Sequence, residues 1–378
     1  MTSFEQLVEG SIRGVAQVIK TDRGFTFSRL PAWTFAQHAH EPNVAKMAER
    51  TSGVHLNIQT SATEITVVYR TVRDRDLSSG WEAGPSTVSV TCGDDVQSVS
   101  HTDGDMRVWK DMALFETIEG VDSIAQFTMP ASDEPRLVQI WLPHNCPTEL
   151  ISIDANAPLL PGPAADRLWV HYGSSISHCE DAAAPVEVWP VAAARALGVD
   201  IYNMGLSGCA NLEQFAARAI REIPADVISL KLGINVVNGA HMTARTFGPA
   251  VHGFLDTIRE AQPTTPILVI SPVCCPAHEN NPGPSELGPD GKVGGQEFSR
   301  HDWIGELTLT RIRSILESIV EQRSVSDNNL YYLDGLKLFN QQDALTMPDG
   351  IHPDAAGYRV IAQKFIANHP DEWLEPRH

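Results

Sequence analysis

The chain is short of positive charge. Its 378 residues carry 28 lysines and arginines against 47 aspartates and glutamates, a formal charge of −19 with histidine neutral. A polyanion such as DNA or RNA would be repelled over most of this surface, because binding it takes a dense cationic stripe that displaces counterions. Long apolar runs are also missing, and no stretch approaches the ~18 residues that a membrane-spanning helix needs. The first ten residues include Glu5 and Glu9 and lack the basic start and apolar segment of a secretory signal. Cysteine is sparse. Cys92, Cys146, Cys179, Cys209, Cys274 and Cys275 contain no C-x-x-C pair and are too few for a disulfide scaffold. The expectation is a cytoplasmic chain with reduced, mostly buried thiols, no nucleic-acid partner and no membrane association. The vicinal Cys274-Cys275 pair admits a redox or metal reading, although such pairs more often sit in the core at a strand end.

What is present is an ordinary globular composition, 42% hydrophobic and 20% charged, which excludes wholesale disorder. At about 150 residues per domain, the length predicts two or three domains. Residues 1–162 read as all-β. Val54 to Val72 alternates apolar and polar residues and is rich in β-branched ones. Ser86–Cys92, Arg107–Trp109, Ile124–Met129, Leu137–Leu142 and Glu149–Ile153 are further strand candidates, separated by turn-forming residues. Short strands with frequent turn signals predict a β-sandwich of jelly-roll type, with one helix expected around Pro42 to Arg50.

The rhythm changes after the Pro161-Gly162-Pro163 cluster. Strands are expected at Arg167–Tyr172, Asp200–Asn203, Asp226–Leu232, Ile267–Ser271 and Leu330–Leu333. Between and after them, helices are expected at Val186–Leu197, Asn211–Ile223, Thr243–Gln262, around Glu306–Glu321, and at Asp354–Asn368. Asn211 with Gln214 has the form of a capping box. Such alternation over residues 163–378 predicts an α/β domain with a parallel sheet and helices on both faces. In such sheets ligands bind beyond the carboxyl ends of the strands, so each strand-to-helix loop is a candidate site element.

Four of these loops carry reactive or polar residues. The first reads Tyr172-Gly173-Ser174-Ser175-Ile176-Ser177-His178, and the second Asn203-Met204-Gly205-Leu206-Ser207-Gly208-Cys209. Gly233-Ile234-Asn235 forms the third, and Pro348-Asp349-Gly350-Ile351-His352-Pro353 the fourth. Taken singly, an ordinary turn or a helix cap accounts for each. Their joint appearance, each after a strand of one sheet, points to a common site. A serine hydroxyl needs a base beside it to act as nucleophile at neutral pH. Histidine can take and return that proton, and an aspartate three residues away can orient the ring.

In this order the four loops resemble the four sequence blocks of the SGNH, or GDSL-type, hydrolase and acyltransferase family. The resemblance covers roughly residues 165–368 and implies a flavodoxin-like three-layer α/β/α domain. It also implies that Ser175 is the nucleophile, His352 the base and Asp349 its orienting acid. The implied oxyanion hole comprises the N–H groups of Ser175 and Gly208 and the side-chain amide of Asn235. Ser174 stands where the family usually has Asp, and a one-residue slip would make it the nucleophile; Val236 stands where Asp usually follows the third-block Asn. The mechanism requires neither. The implied activity is acyl transfer through an acyl-serine, with no cofactor and no metal. The acceptor is water or a hydroxyl of a small molecule such as a sugar or natural product. The alternatives are a dedicated O-acyltransferase with little hydrolysis, or a non-catalytic carbohydrate-binding protein.

Four features remain. The Pro/Gly-rich stretch 272–305 is expected to form a wall or lid of the pocket, or else a surface insertion, with His278, His301 and Trp303 as potential substrate contacts. His171, His178, Cys179 and His278 admit a metal reading, which fourteen histidines make cheap. In the sandwich, which resembles carbohydrate-binding modules, Trp33, Phe35, Tyr69, Trp81, Trp109 and Trp141 are either core residues or a sugar platform. Trp169 and Trp189 are expected in the core.

Overall fold

The computed structural model describes residues 2–78, 80–110, 114–298 and 305–375. The chain divides into two compact units, Met1–Ala165 with Cys179–Val191, and Asp166–His178 with Ala192–His378.

In the first unit, helix α1 (Phe4–Ser11) is followed by β1 (Ile12–Arg13), β2 (Gln17–Lys20), β3 (Phe25–Ser28) and helix α2 (Pro42–Glu49). Strands β4 (His55–Thr60), β5 (Glu64–Asp76), β6 (Ser86–Cys92), β7 (Asp95–His101) and β8 (Asp105–Trp109) come next. The series ends with β9 (Phe115–Ile118), β10 (Ser123–Thr128), β11 (Arg136–Trp141), β12 (Thr148–Ala155) and β13 (Leu160–Pro161). One sheet has the order β1-β4-β11-β6-β7 with β13 beside β4, and the other β2-β3-β12-β5-β8-β9 with β10 beside β5. Period-two alternation builds the core. In β5, Ile65, Val67, Tyr69 and Thr71 are buried while Thr66, Val68 and Arg70 are half-buried. They meet Leu56 and Ile58 of β4, Val88 and Val90 of β6, and Val138 and Ile140 of β11, each fully buried aliphatic contributing roughly 1.5–3 kcal/mol. Tyr69 and Trp141 are buried. Trp109 donates its indole N–H to Asp74 at 2.7 Å and lies 4.5 Å from the Lys46 ammonium. Among the six sandwich aromatics these three are therefore committed to protein contacts.

Further along lie β14 (Leu168–Gly173), α3 (Ser175–His178), α4 (Trp189–Leu197), β15 (Asp200–Gly205), α5 (Gln214–Glu222), β16 (Val227–Lys231) and α6 (Ile234–Asn238). Then come α7 (Ala244–Arg259), β17 (Ile267–Ile270), the small hairpin β18 (Glu286–Leu287) and β19 (Val293–Gly294), and α8 (Leu309–Arg323). The last elements are β20 (Leu330–Leu333), α9 (Ala355–Asn368) and α10 (Asp371–Leu374). Five strands form one parallel sheet in the order β15-β14-β16-β17-β20, which is the flavodoxin-like order. Strands β15, β16 and β17 are buried at every position, as in a sheet covered on both faces. Trp169 of β14 stacks on Phe365 of α9 at 5.0 Å, and the Trp373 indole donates to the Ile228 carbonyl at 2.9 Å, fixing the last two helices to the sheet.

Two local expectations need correction. The helix expected at Val186–Leu197 is a 3-10 turn, Pro185–Glu187, followed by α4 from Trp189. Pro190 is the cause: it has no N–H, and in a continuous helix its ring would clash with the carbonyl of Val186. The helix expected from Asn211 starts at Gln214 with Glu213 as N-cap, so Asn211 and Gln214 form no capping box. Leu212 has a φ of 63°, which breaks the helical path between them.

Candidate active site

At the carboxyl ends of the parallel strands, the fourth loop meets the first. Ser175 opens α3 directly after β14, and its Oγ lies 2.9 Å from Nε2 of His352. Nδ1 of His352 lies 2.7 Å from Oδ2 of Asp349. The other Asp349 oxygen accepts the N–H groups of Ile351 at 2.9 Å and His352 at 2.7 Å. The turn that places His352 thus also orients the carboxylate. Burial would raise the Asp349 carboxyl, but the His352 ring and these N–H donors bring it down to about 2. Asp354 caps α9 through the Gly357 N–H, so the cap and the Asp349–His352 pair coexist in one loop. Ser174 is buried, and its Oγ has no hydrogen-bond partner among the described residues. The serine in contact with His352 is Ser175.

Close packing fixes the start of α3. Gly173 and Gly205 are paired at the ends of β14 and β15. A Cβ on Gly173 would lie 2.2 Å from Ser177 Oγ, and one on Gly205 2.4 Å from the His178 nitrogen. Only glycine lets the helix sit this low on the sheet. Beneath it, His171 places Nε2 2.7 Å from Ser177 Oγ and Nδ1 2.6 Å from Ser229 Oγ, and Ser229 also accepts the Trp169 indole N–H at 2.8 Å. Burial, aided by the nearby Lys231 charge, lowers His171 to about 3. It is a neutral support whose two nitrogens both face serines. In the sequence alone it offers only a metal-ligand reading. Among the described residues, no group of three or more His, Cys, Asp or Glu is placed to hold a metal ion.

The second and third loops meet as well. Asn235 of α6 is buried, and its Oδ1 accepts the Ala210 N–H at 3.2 Å. With its oxygen bound to that N–H, the amide keeps its NH₂ donors for other partners. Gly208 is exposed in the 3-10 turn Ser207–Cys209, whose first backbone bond, Cys209 N–H to Leu206 O, comes one residue later. Its N–H therefore precedes the bonded part of the turn.

The stretch after β17 is anchored over its described part, to residue 298. Cys274 and Cys275 are buried just beyond the strand, as expected, and burial pushes both thiols up to about 12. His278 is buried, with Nε2 2.7 Å from Ser285 Oγ and Nδ1 3.3 Å from the Asn281 carbonyl, so it braces the loop and is not a substrate contact. Val293 of β19 donates its N–H to the Asp349 carbonyl at 3.0 Å, placing the hairpin against the fourth loop. His301 and Trp303 lie outside the described residues.

This fold and this constellation define an acyl-transfer enzyme, an esterase or acyltransferase. The chain belongs to the GDSL-like lipase/acylhydrolase family, whose profile matches residues 171–360. Among solved structures it is similar to a salicylyl-acyltransferase from a tetracycline biosynthetic pathway. That match has 25% identity and a TM-score of 0.75, covering 94% of this chain and 92% of the other. A GDSL-like lipase from Bacteroides ovatus matches with 18% identity and a TM-score of 0.63, covering 94% and 93%. A family two carbohydrate esterase from Clostridium thermocellum matches with 13% identity and a TM-score of 0.58, covering 94% and 97%. A search of curated proteins gives no significant match. Among the described residues, no helix is long and apolar enough to cross a membrane.

Proposed function

We propose that Ser175 attacks the carbonyl of a small acyl ester, with His352 as general base and Asp349 holding the imidazole. The observation that carries this reading is the unbroken chain from Asp349 through His352 to Ser175, with contacts of 2.7 and 2.9 Å, at the edge of the sheet where ligands bind. The serine proton passes to Nε2, the carbonyl oxygen becomes an oxyanion, and collapse expels the alcohol, which takes the proton back from His352. The N–H groups of Ser175 and Gly208 and the Asn235 amide serve as the oxyanion donors. The acyl-serine then passes its acyl group to water or to a hydroxyl of a small molecule, a sugar or a natural product. The likeness to the salicylyl-acyltransferase over nearly the full length of both chains favours a dedicated O-acyltransferase as the second reading. In the first unit, residues 1–162 form a carbohydrate-binding-module-like sandwich attached to a catalytic domain of 163–378. The six cysteines, with no disulfide among the described residues, fit a reducing compartment, the cytoplasm.

The test is intact mass with peptide mapping after brief exposure to an activated acyl ester, run on wild type beside Ser175→Ala. An adduct on Ser175 that is absent from the mutant supports the mechanism. Adding hydroxyl acceptors then separates the two activities, because a transferase discharges the adduct far faster with an acceptor than with water alone. An adduct on Ser174 would overturn the assignment of the nucleophile. No adduct and no turnover with any of several acyl chains would favour the non-catalytic reading.

A further inference from the structure

The loop that carries Gly208 is held in a costly conformation from outside. Ser207 and Leu212, the residues that flank it, have φ angles of 53° and 63°, a region that any residue with a Cβ enters only at a free-energy cost. Such strain persists only where neighbouring contacts over-determine it. Those contacts are on both sides of Leu212. The Leu212 N–H donates to the Tyr172 hydroxyl at 3.2 Å, and that hydroxyl donates to Glu213 Oε2 at 2.8 Å. The second carboxylate oxygen, Oε1, accepts the Asn211 N–H at 2.9 Å. Asn211 in turn places Oδ1 2.9 Å from the His241 ring and donates from its amide to the Gly208 carbonyl at 3.4 Å. Burial raises the Glu213 carboxyl, while the Tyr172 and Asn211 donors pull it back.

Tyr172 is itself fixed. It is fully buried in β14, in register with Met204 of β15 and Leu230 of β16, and its ring packs 5.1 Å from that of Phe254. Three residues later in the same strand-and-turn comes Ser175. One rigid side chain therefore ties the nucleophile's strand to the loop bearing the Gly208 N–H.

We propose that Tyr172 and Glu213 are positioning residues that set the distance between Ser175 and the Gly208 N–H, and so tune stabilisation of the oxyanion without touching substrate. This rests on the roles proposed above for Ser175 and Gly208. Removing the hydroxyl frees the strained loop to relax and moves the donor off the place where negative charge develops. Ground-state binding, which uses that donor less, changes little.

The experiment measures kcat and KM for an activated ester, affinity for a phenylboronic acid that forms a tetrahedral adduct on serine, and active-site content by fluorophosphonate titration. The variants are Tyr172→Phe, Glu213→Ala, Glu213→Gln and the double Tyr172→Phe/Glu213→Ala. Tyr172→Phe is expected to lower kcat about 10- to 100-fold per titrated site, less than outright loss of a donor, with KM nearly unchanged. Boronate affinity should fall by a similar factor. Glu213→Ala should match it, the double variant should be no worse than either single because one brace is broken in each, and Glu213→Gln, which keeps an acceptor for Asn211, should recover most of the rate. Wild-type kcat per titrated site in Tyr172→Phe and Glu213→Ala would overturn the brace and leave the nucleophile standing. So would a loss that disappears on normalising to titrated sites. Failure of the wild type to take up the fluorophosphonate on Ser175 would instead overturn the functional reading on which the brace depends.

Discussion

Replacing Gly205 by alanine puts the packing argument at its sharpest. The added Cβ would lie 2.4 Å from the His178 nitrogen, 2.6 Å from the Ser177 carbonyl carbon and 2.8 Å from the His178 Cα. All three are backbone atoms of α3, with no flexible tip to swing aside. Ordinary contact begins near 3.4 Å, so helix and strand must part by about 1 Å in a region packed at crystal-like density. The displaced turn begins with Ser175, whose Oγ lies 2.9 Å from His352 Nε2. Most of that shift, taken along this contact, stretches it to ~3.6 Å, where no hydrogen bond remains. Misplacement by about 1 Å costs on the order of 10²-fold in rate, equivalent to about 2.7 kcal/mol of barrier. Overpacking costs a further ~1–3 kcal/mol of stability. The assay is kcat on an activated acetyl ester per fluorophosphonate-titrated site, with Tm measured alongside. The control is Gly248→Ala in α7, where a Cβ meets nothing within 4 Å. It should leave Tm no lower, since alanine suits a helix interior better than glycine, and kcat within about threefold. Wild-type kcat and Tm in Gly205→Ala, or equal damage in the two variants, would refute the reasoning.

Asn235→Ala should lower kcat about 10²–10³-fold with KM little changed, and an unaltered kcat would remove Asn235 from the oxyanion role. Acid should weaken the Asp349–His352 pair in a defined window. The Asp349 carboxyl is held at about 2 against an ordinary 3.8, so its contribution is complete above about pH 4 and fades as pH falls through about 2. The Tm gap between wild type and Asp349→Asn should be flat above about pH 4 and narrow below it; a gap equal at about pH 2.5 and about pH 5 would contradict the linkage. Burial pushes Cys146, Cys274 and Cys275 up to about 12, which leaves almost no thiolate at about pH 8. Of the six thiols, half-buried Cys92 should therefore react first with a disulfide reagent in the native protein. Rapid native-state labelling at Cys274 or Cys275 would count against their burial.

Much of the fold was legible because its signals are local. Ser86–Cys92 and Leu330–Leu333 are strands over the residues expected, since β-branched alternation or a short apolar run bounded by turn residues leaves little choice of period. The first strands were missed. Gln17–Lys20 and Phe25–Ser28 are short, and they pair with each other across a turn without a long alternating pattern. Helix α1 was overlooked although its capping box, Ser3 with Gln6, is a sequence-level signal. At Asn211 the opposite happened: a cap-like residue was present, but its side chain is taken by Gly208 and His241, partners that no local pattern reveals.

The candidate site divides along the same line. Ser175 and His352 are 177 positions apart, yet both could be named from sequence because each sits in a loop after a strand. A parallel sheet brings all such loops to one edge, so topology converts position along the chain into proximity in space. The parts that hold the site carry no comparable signal. His171 and Tyr172 lie inside a strand, and Glu213 at a helix start, and the contacts that join His171 to Ser177 and Ser229 and Tyr172 to Glu213 span 6 to 58 residues. Residue type does not mark them either, since a buried histidine, tyrosine or glutamate is noticed only once its surroundings are known. Their partners are instead chosen by the depth at which α3 and the Gly208 loop settle on the sheet. That depth is set by Gly173 and Gly205, so substitution at either glycine should disturb both the His171 support and the Ser175–His352 contact, although neither glycine touches the reacting atoms.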